Sequence, residues 1–153
     1  MGSTRATQTF PVAVAEAERR WYDTGSWPSW VEGLEQLIAV EGDWPAVGSR
    51  VVWESGPAGR GRVTETAVAY TAGDGQAVEV QDVSITGRQS VAFAAAPGGV
   101  SVTLALSYRI RSRSPITPLI DALFVRRAMA TSLRQTLDRF GSLLGRHDAP
   151  PGP

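Results

Sequence analysis

The sequence predicts an α+β domain: seven antiparallel strands, a pair of short helices between the first two strands, and one long C-terminal helix that packs on the sheet. Three observations carry this. Thr117 to Leu144 (TPLIDALFVRRAMATSLRQTLDRFGSLL) repeats apolar residues at helical spacing, with Leu119, Leu123, Ala130, Leu133, Leu137, Phe140 and Leu144 on one face. Val100 to Ile110 (VSVTLALSYRI) alternates strictly between apolar and polar residues. The stretch between residues 36 and 96 breaks into short β-type runs separated by Gly, Pro and Asp.

Taken in order, the first strand falls within Thr7 to Val14, where Pro11 lacks a backbone donor and belongs at an edge or a bulge. Ala15 to Asp23 (AEAERRWYD) is rich in helix formers and stops before Thr24 and Gly25. Ser26 to Leu34 (SWPSWVEGL) makes a second short helix or turn, and Trp21, Trp27 and Trp30 crowd the pair. Strands follow at Gln36 to Glu41, Arg50 to Ser55, Arg62 to Thr71, Gln76 to Asp82 and Arg88 to Ala95. The APGG turn at 96–99 sets Ala95 opposite Val100, Phe93 opposite Val102, Val91 opposite Leu104 and Gln89 opposite Leu106. The last helix opens on Thr117-Pro118 and is expected to stop at Gly145. One domain over residues 7–145 and a disordered Pro-rich tail at 146–153 complete the layout.

Composition narrows the function classes. The 15 basic residues are all Arg and balance 15 acidic ones, so the chain lacks the basic surplus of a general nucleic-acid binder. Cysteine is absent and the single His147 lies in the tail, which argues against disulfides, thiol nucleophiles, histidine metal centres and a Ser-His-Asp triad. No cofactor or metal is expected. No apolar run spans a bilayer and no signal peptide precedes the domain, so the expected setting is the cytoplasm.

The order strand, two short helices, six strands, long helix resembles the START-related (SRPBCC) superfamily, whose fold is called helix-grip, and within it the bacterial polyketide cyclase/dehydrase branch. The residues that carry the likeness are the Trp27 to Trp30 segment, Gly48-Ser49-Arg50, Gly87 with Arg88 and Phe93, Tyr108-Arg109, and Ser132-Leu133 with Leu137. The resemblance implies a sheet curved around the long helix with an apolar cavity between them. Its members include carriers and cyclases, so it implies a pocket rather than one activity.

The site candidates follow from facing. Arg126 falls within the apolar face of the last helix: it either reaches into the cavity to bind a carboxylate or enolate oxygen, or lays its stem on apolar surface and carries its charge to water. An even loop at AGDG pairs Ala69 with Val78 and sets Glu65 opposite Asp82, a carboxylate pair suited to acid-base work in an aldol-type cyclisation or dehydration. A slip of one residue turns Val68 and Tyr70 inward and Glu65 outward, and Asp82 then closes a strand end or turn. Tyr108 and Gln89 share the apolar phase of their strands: either they form a polar cluster in the pocket, or Tyr108 points its hydroxyl at the rim and Gln89 bonds the sheet. Trp30, Trp53, Val91, Phe93, Leu106, Ile120, Leu123 and Phe124 supply apolar wall.

These residues suit a module that binds a small hydrophobic or aromatic molecule, lipid-like or polyketide-like. The alternatives are a cofactor-independent polyketide aromatase/cyclase or dehydrase with Arg126, Asp82, Glu65 or Tyr108 as its catalytic groups, and a regulatory or co-chaperone-like interaction protein with a filled core. Oligomeric state is left open.

Overall fold

The computed structural model describes the backbone of residues 2–56, 61–111 and 118–148, and their side chains outside 118–124 and 146–148. Strand β1 (Gly2–Phe10) leads to helix α1 (Val14–Trp21) and a 3-10 turn at Thr24–Ser29. Strands β2 (Leu34–Glu41), β3 (Arg50–Ser55), β4 (Arg62–Thr71), β5 (Gly75–Gln81), β6 (Ile85–Ala96) and β7 (Gly99–Ile110) follow, then helix α2 (Pro118–Asp148). The strands form one antiparallel sheet in the order β1-β7-β6-β5-β4-β3-β2. This is the helix-grip arrangement: chain order runs along the sheet, and β1 closes back on β7.

The ends differ from expectation. β1 begins at Gly2 and ends before Pro11, so the strand is longer and earlier than the Thr7 to Val14 reading. It pairs with β7 along its whole length, from Gly2 opposite Tyr108 to Phe10 opposite Val100. Gly145 does not stop α2, which continues to Asp148; one glycine costs a helix only about 1 kcal/mol, and Gly145 is exposed. Residues 149–153 and 112–117, with Thr117 among them, lie outside the described residues.

The β6–β7 hairpin has the expected register, Ala95 to Val100, Phe93 to Val102, Val91 to Leu104 and Gln89 to Leu106. Its alternation buries Val100, Val102, Leu104, Leu106 and Tyr108 on one face. The β4–β5 hairpin differs. Thr71 pairs with Gly75 across a three-residue turn, and a bulge follows at Val68, so Ala67 lies opposite Val78 and Glu65 opposite Val80. The bulge lets both anticipated phases coexist. Val63, Glu65 and Ala67 face inward before it, while beyond it Tyr70 lies opposite the buried Gln76.

The core lies where α2 crosses the inner face of the sheet. Leu133, Leu137, Phe140 and Leu144 are buried there, as the helical spacing requires. Phe140 sits at the centre of an aromatic cluster, with ring centroids 5.0 Å from Trp21, 4.9 Å from Trp30 and 5.4 Å from Phe10. The helical pair before β2 thus serves as one wall of the core. Trp27 and Trp30 are held in place by their own indole donors, Trp27 Nε1 to Trp21 O at 2.8 Å and Trp30 Nε1 to Ser26 Oγ at 2.9 Å.

Candidate functional site

Between the sheet, the helical pair and the middle of α2 lies a cavity of about 50 Å³. Trp21, Trp27 and Trp30 form one wall, Trp53, Val63, Glu65 and Val80 a second, and Gln89, Leu104 and Leu106 a third. Met129, Ser132, Leu133 and Thr136 of α2 face them, with Val31 and Glu32 at the side. The volume suits a few water molecules, well short of the roughly 300 Å³ and more of a typical small-molecule pocket.

Its polar groups are few. Trp53 on β3 pairs with Val63, and Glu65 two residues further along β4 sits diagonally from it on the same inward face. The Trp53 Nε1–H donates to the Glu65 carboxylate at 2.7 Å, and Glu65 is only 8% exposed. This charge-assisted bond holds a carboxylate inside an otherwise aromatic wall. Glu32 is fastened to α2 twice: its carboxylate accepts from Ser132 Oγ at 2.7 Å, and its backbone N–H donates to Thr136 Oγ1 at 3.1 Å. These two bonds close the side of the cavity.

A second chamber of about 20 Å³ adjoins the first, lined by Trp44, Gln76, Ser90 and Val91 and sharing Trp21, Trp27, Glu65 and Gln89 with it. On the outer face of the sheet, a shallow groove of about 440 Å³ runs over β4 to β7, past Thr64, Thr66, Arg88 and Arg109. It lies among exposed and half-exposed polar side chains.

The structure sorts the anticipated residues. Trp30, Trp53, Glu65, Gln89 and Leu106 line the main cavity, and Val91 lines the smaller chamber. Phe93 and Tyr108 are buried but line neither chamber; Phe93 packs on Trp21 and Tyr22 at 6.2 and 6.1 Å. The Tyr108 ring lies over Gly2, where a Cβ would come within 2.4 Å of it. Burial raises the Tyr108 hydroxyl above the ordinary tyrosine range, and the positive charge of Arg126 opposes that rise. The side chains of Ile120, Leu123 and Phe124 lie outside the described residues.

At two positions the structure decides between readings that the sequence leaves open. Arg126 is exposed rather than inside the cavity, because a guanidinium buried without a carboxylate costs more than its stem gains. The Glu65–Asp82 pair does not form, because the odd turn and the bulge move Asp82 past the end of β5. Asp82 instead closes the β5–β6 turn: its Oδ1 accepts from the backbone N–H groups of Ser84 and Ile85 at 2.7 and 2.8 Å. Its carbonyl accepts from Arg111 Nη1 at 2.6 Å.

Glu32, Ser132 and Thr136 are cavity residues that sequence reasoning missed as site groups. Ser132 and Thr136 lie at helical spacing on the apolar stripe, a signal that was available; Glu32 sits in a turn with no periodicity to orient it. Among the described residues no group of three His, Cys, Asp or Glu side chains comes together to hold a metal ion. Among them, too, no helix is long and apolar enough to cross a membrane.

Fold and cavity together define a helix-grip protein, a sheet gripping one long helix around a small enclosed space. The chain belongs to the family described as polyketide cyclase / dehydrase and lipid transport, whose model matches residues 1–145. Solved structures agree on the fold. A protein of Thermus thermophilus superimposes with a TM-score of 0.81 at 16% identity, over 96% of this chain and 99% of its own. The di-domain ARO/CYC StfQ of the steffimycin biosynthetic pathway matches with a TM-score of 0.73 at 16% identity, over 92% of this chain and 49% of its own. A norcoclaurine synthase point mutant of Thalictrum flavum gives 0.69 at 12%, over 96% of both chains. No curated protein matches the sequence.

Proposed function

We propose that this chain binds a small molecule with an aromatic or hydrophobic body in the cavity between the sheet and α2. The observation that carries this is the wall itself: Trp21, Trp27, Trp30 and Trp53 surround a space that also holds the Glu65 carboxylate and the Gln89 amide. A purely structural core gains nothing from enclosing a carboxylate, whereas apolar walls with a few polar groups are the usual composition of a ligand site. The cavity must widen to admit such a ligand, and the Glu32 bonds to Ser132 and Thr136 are the contacts that yield. Native mass spectrometry after gentle purification tests the reading. A retained small molecule, lost together with the mass difference on denaturation, supports it; a chain that retains nothing and whose tryptophan fluorescence no aromatic probe quenches overturns it.

A second reading, a cofactor-independent aromatase or cyclase, is favoured by the family and by the position of Glu65. A carboxylate inside an aromatic cavity is placed to take a proton from an activated methylene while the walls hold the folded substrate. Product analysis with a poly-β-ketone substrate separates the two: cyclised product that disappears in Glu65→Gln makes the chain an enzyme, and bound but unchanged substrate leaves it a binding protein.

A further inference from the structure

We propose that the smaller chamber is a hydroxyl-binding subsite, in which the Trp44 indole N–H donates to an oxygen of a ligand whose aromatic body lies in the main cavity. This rests on the cavity reading above and specifies the ligand class: a hydroxylated aromatic ring rather than a hydrocarbon or a carboxylate.

The indole donors of this protein carry the argument. Of the five indoles, those of Trp27, Trp30 and Trp53 donate to a protein acceptor, at 2.8, 2.9 and 2.7 Å. Trp44 does not. Its Nε1 is buried, with no acceptor among the described residues. Buried donors are almost always satisfied, and one left without an acceptor is costly.

The ring is nevertheless firmly placed. It meets the Trp27 ring edge-on at 5.7 Å, and Gln76 Nε2 donates to the Pro45 carbonyl at 3.1 Å, tying the β2–β3 connection to β5. The chamber Trp44 lines has about 20 Å³, enough for one oxygen-sized group, since about 10–15 Å³ is the minimum.

The chemistry of the lining selects that group. Glu65 and Gln89 line both chambers and present acceptor oxygens, so an oxygen that receives the Trp44 proton can pass its own proton to either. A hydroxyl does both. A ligand carboxylate would meet the like charge of Glu65, and a methyl would leave the indole donor without an acceptor.

Phenol and toluene, which share a shape, are the probes. Each is titrated into the ¹⁵N-labelled chain while the indole N–H resonances are followed. The dissociation-constant ratio of toluene to phenol is expected to fall about five-fold in Trp44→Phe, the loss of one hydrogen bond. In the wild type, phenol moves the Trp44 indole resonance downfield and toluene does not. An unchanged ratio in a Trp44→Phe variant with native circular dichroism overturns the subsite alone. So does a Trp44 resonance that stays fixed while other cavity indoles respond to phenol, and this wild-type measurement decides the matter should Trp44→Phe fail to fold. Failure of both probes to bind overturns the cavity reading, and the subsite with it.

Discussion

Trp53 and Glu65, on adjacent strands and diagonal to one another, share a 2.7 Å hydrogen bond on the inner face of the sheet. The bond ties a charged group to an indole that is itself only 2% exposed, so it contributes both to stability and to the electrostatics of the cavity. Trp53→Phe is expected to cost about 1.5–3 kcal/mol in denaturant titration, the range for hydrogen bonds to charged groups. In a Glu65→Gln background, where the bond becomes neutral, the same change should cost about 1 kcal/mol. Equal costs in the two backgrounds would show that the bond does not couple the pair.

Phe140 joins α2 to the helical pair and to β1 through its contacts with Trp21, Trp30 and Phe10. Phe140→Ala should lose about 3–5 kcal/mol, because rigid aromatic neighbours on three sides cannot collapse into the space. A loss under about 1 kcal/mol in chemical denaturation would mean that the cluster repacks.

Tyr22 offers a test with a pH signature. Its hydroxyl is buried without a hydrogen-bond partner among the described residues. Burial first, then the charges of Glu18 and Tyr70, raise its pKa above the ordinary tyrosine value. A group whose folded pKa exceeds its unfolded value of about 10 contributes stability that is complete below about pH 10 and is lost as pH rises beyond it. Thermal melts should therefore fall more steeply above about pH 10 for the wild type than for Tyr22→Phe. At neutral pH the variant should match or exceed the wild type by up to about 1 kcal/mol, since it removes an unsatisfied hydroxyl. A parallel alkaline decline in both proteins would contradict this.

Arg126 influences Tyr108 through its charge, from an exposed position on α2. Arg126→Ala should move the Tyr108 titration further upward while changing stability by less than about 0.5 kcal/mol, as is usual for exposed sites. Tyrosinate absorbance, with Tyr108→Phe as the reference, measures the first effect. A Tyr108 titration indifferent to Arg126 would show that the two do not interact in solution.

How much of this was legible beforehand follows from the kind of signal each residue carries. Strict alternation in β7 oriented Val102, Leu104, Leu106 and Tyr108 correctly, and a short Gly-rich turn set the β6–β7 register, because pleat and turn geometry are local. Helical spacing likewise found Leu133, Leu137, Phe140 and Leu144. The same spacing placed Arg126 on the buried stripe and was silent on how far along α2 the sheet covers it. In β4 a single extra residue at Val68 reversed the facing of everything beyond it, and no local pattern announces a bulge.

The amino-acid sequence by itself determined the order of elements and the apolar faces, since these depend on periodicity and turn chemistry, and its resemblance to the START-related superfamily implied the helix-grip class. Only the tertiary structure decided that Glu65 meets Trp53 and not Asp82, that Glu32 is fastened to Ser132 and Thr136, and that Trp44 comes to lie beside Gln89 and Glu65 with its donor unpaired among the described residues. The Glu32 bonds join segments about a hundred residues apart, while Trp53 and Glu65 meet across adjacent strands, and which side chains meet is set by strand register, by the bulge at Val68 and by the packing of α2 across the sheet, which leave no local trace.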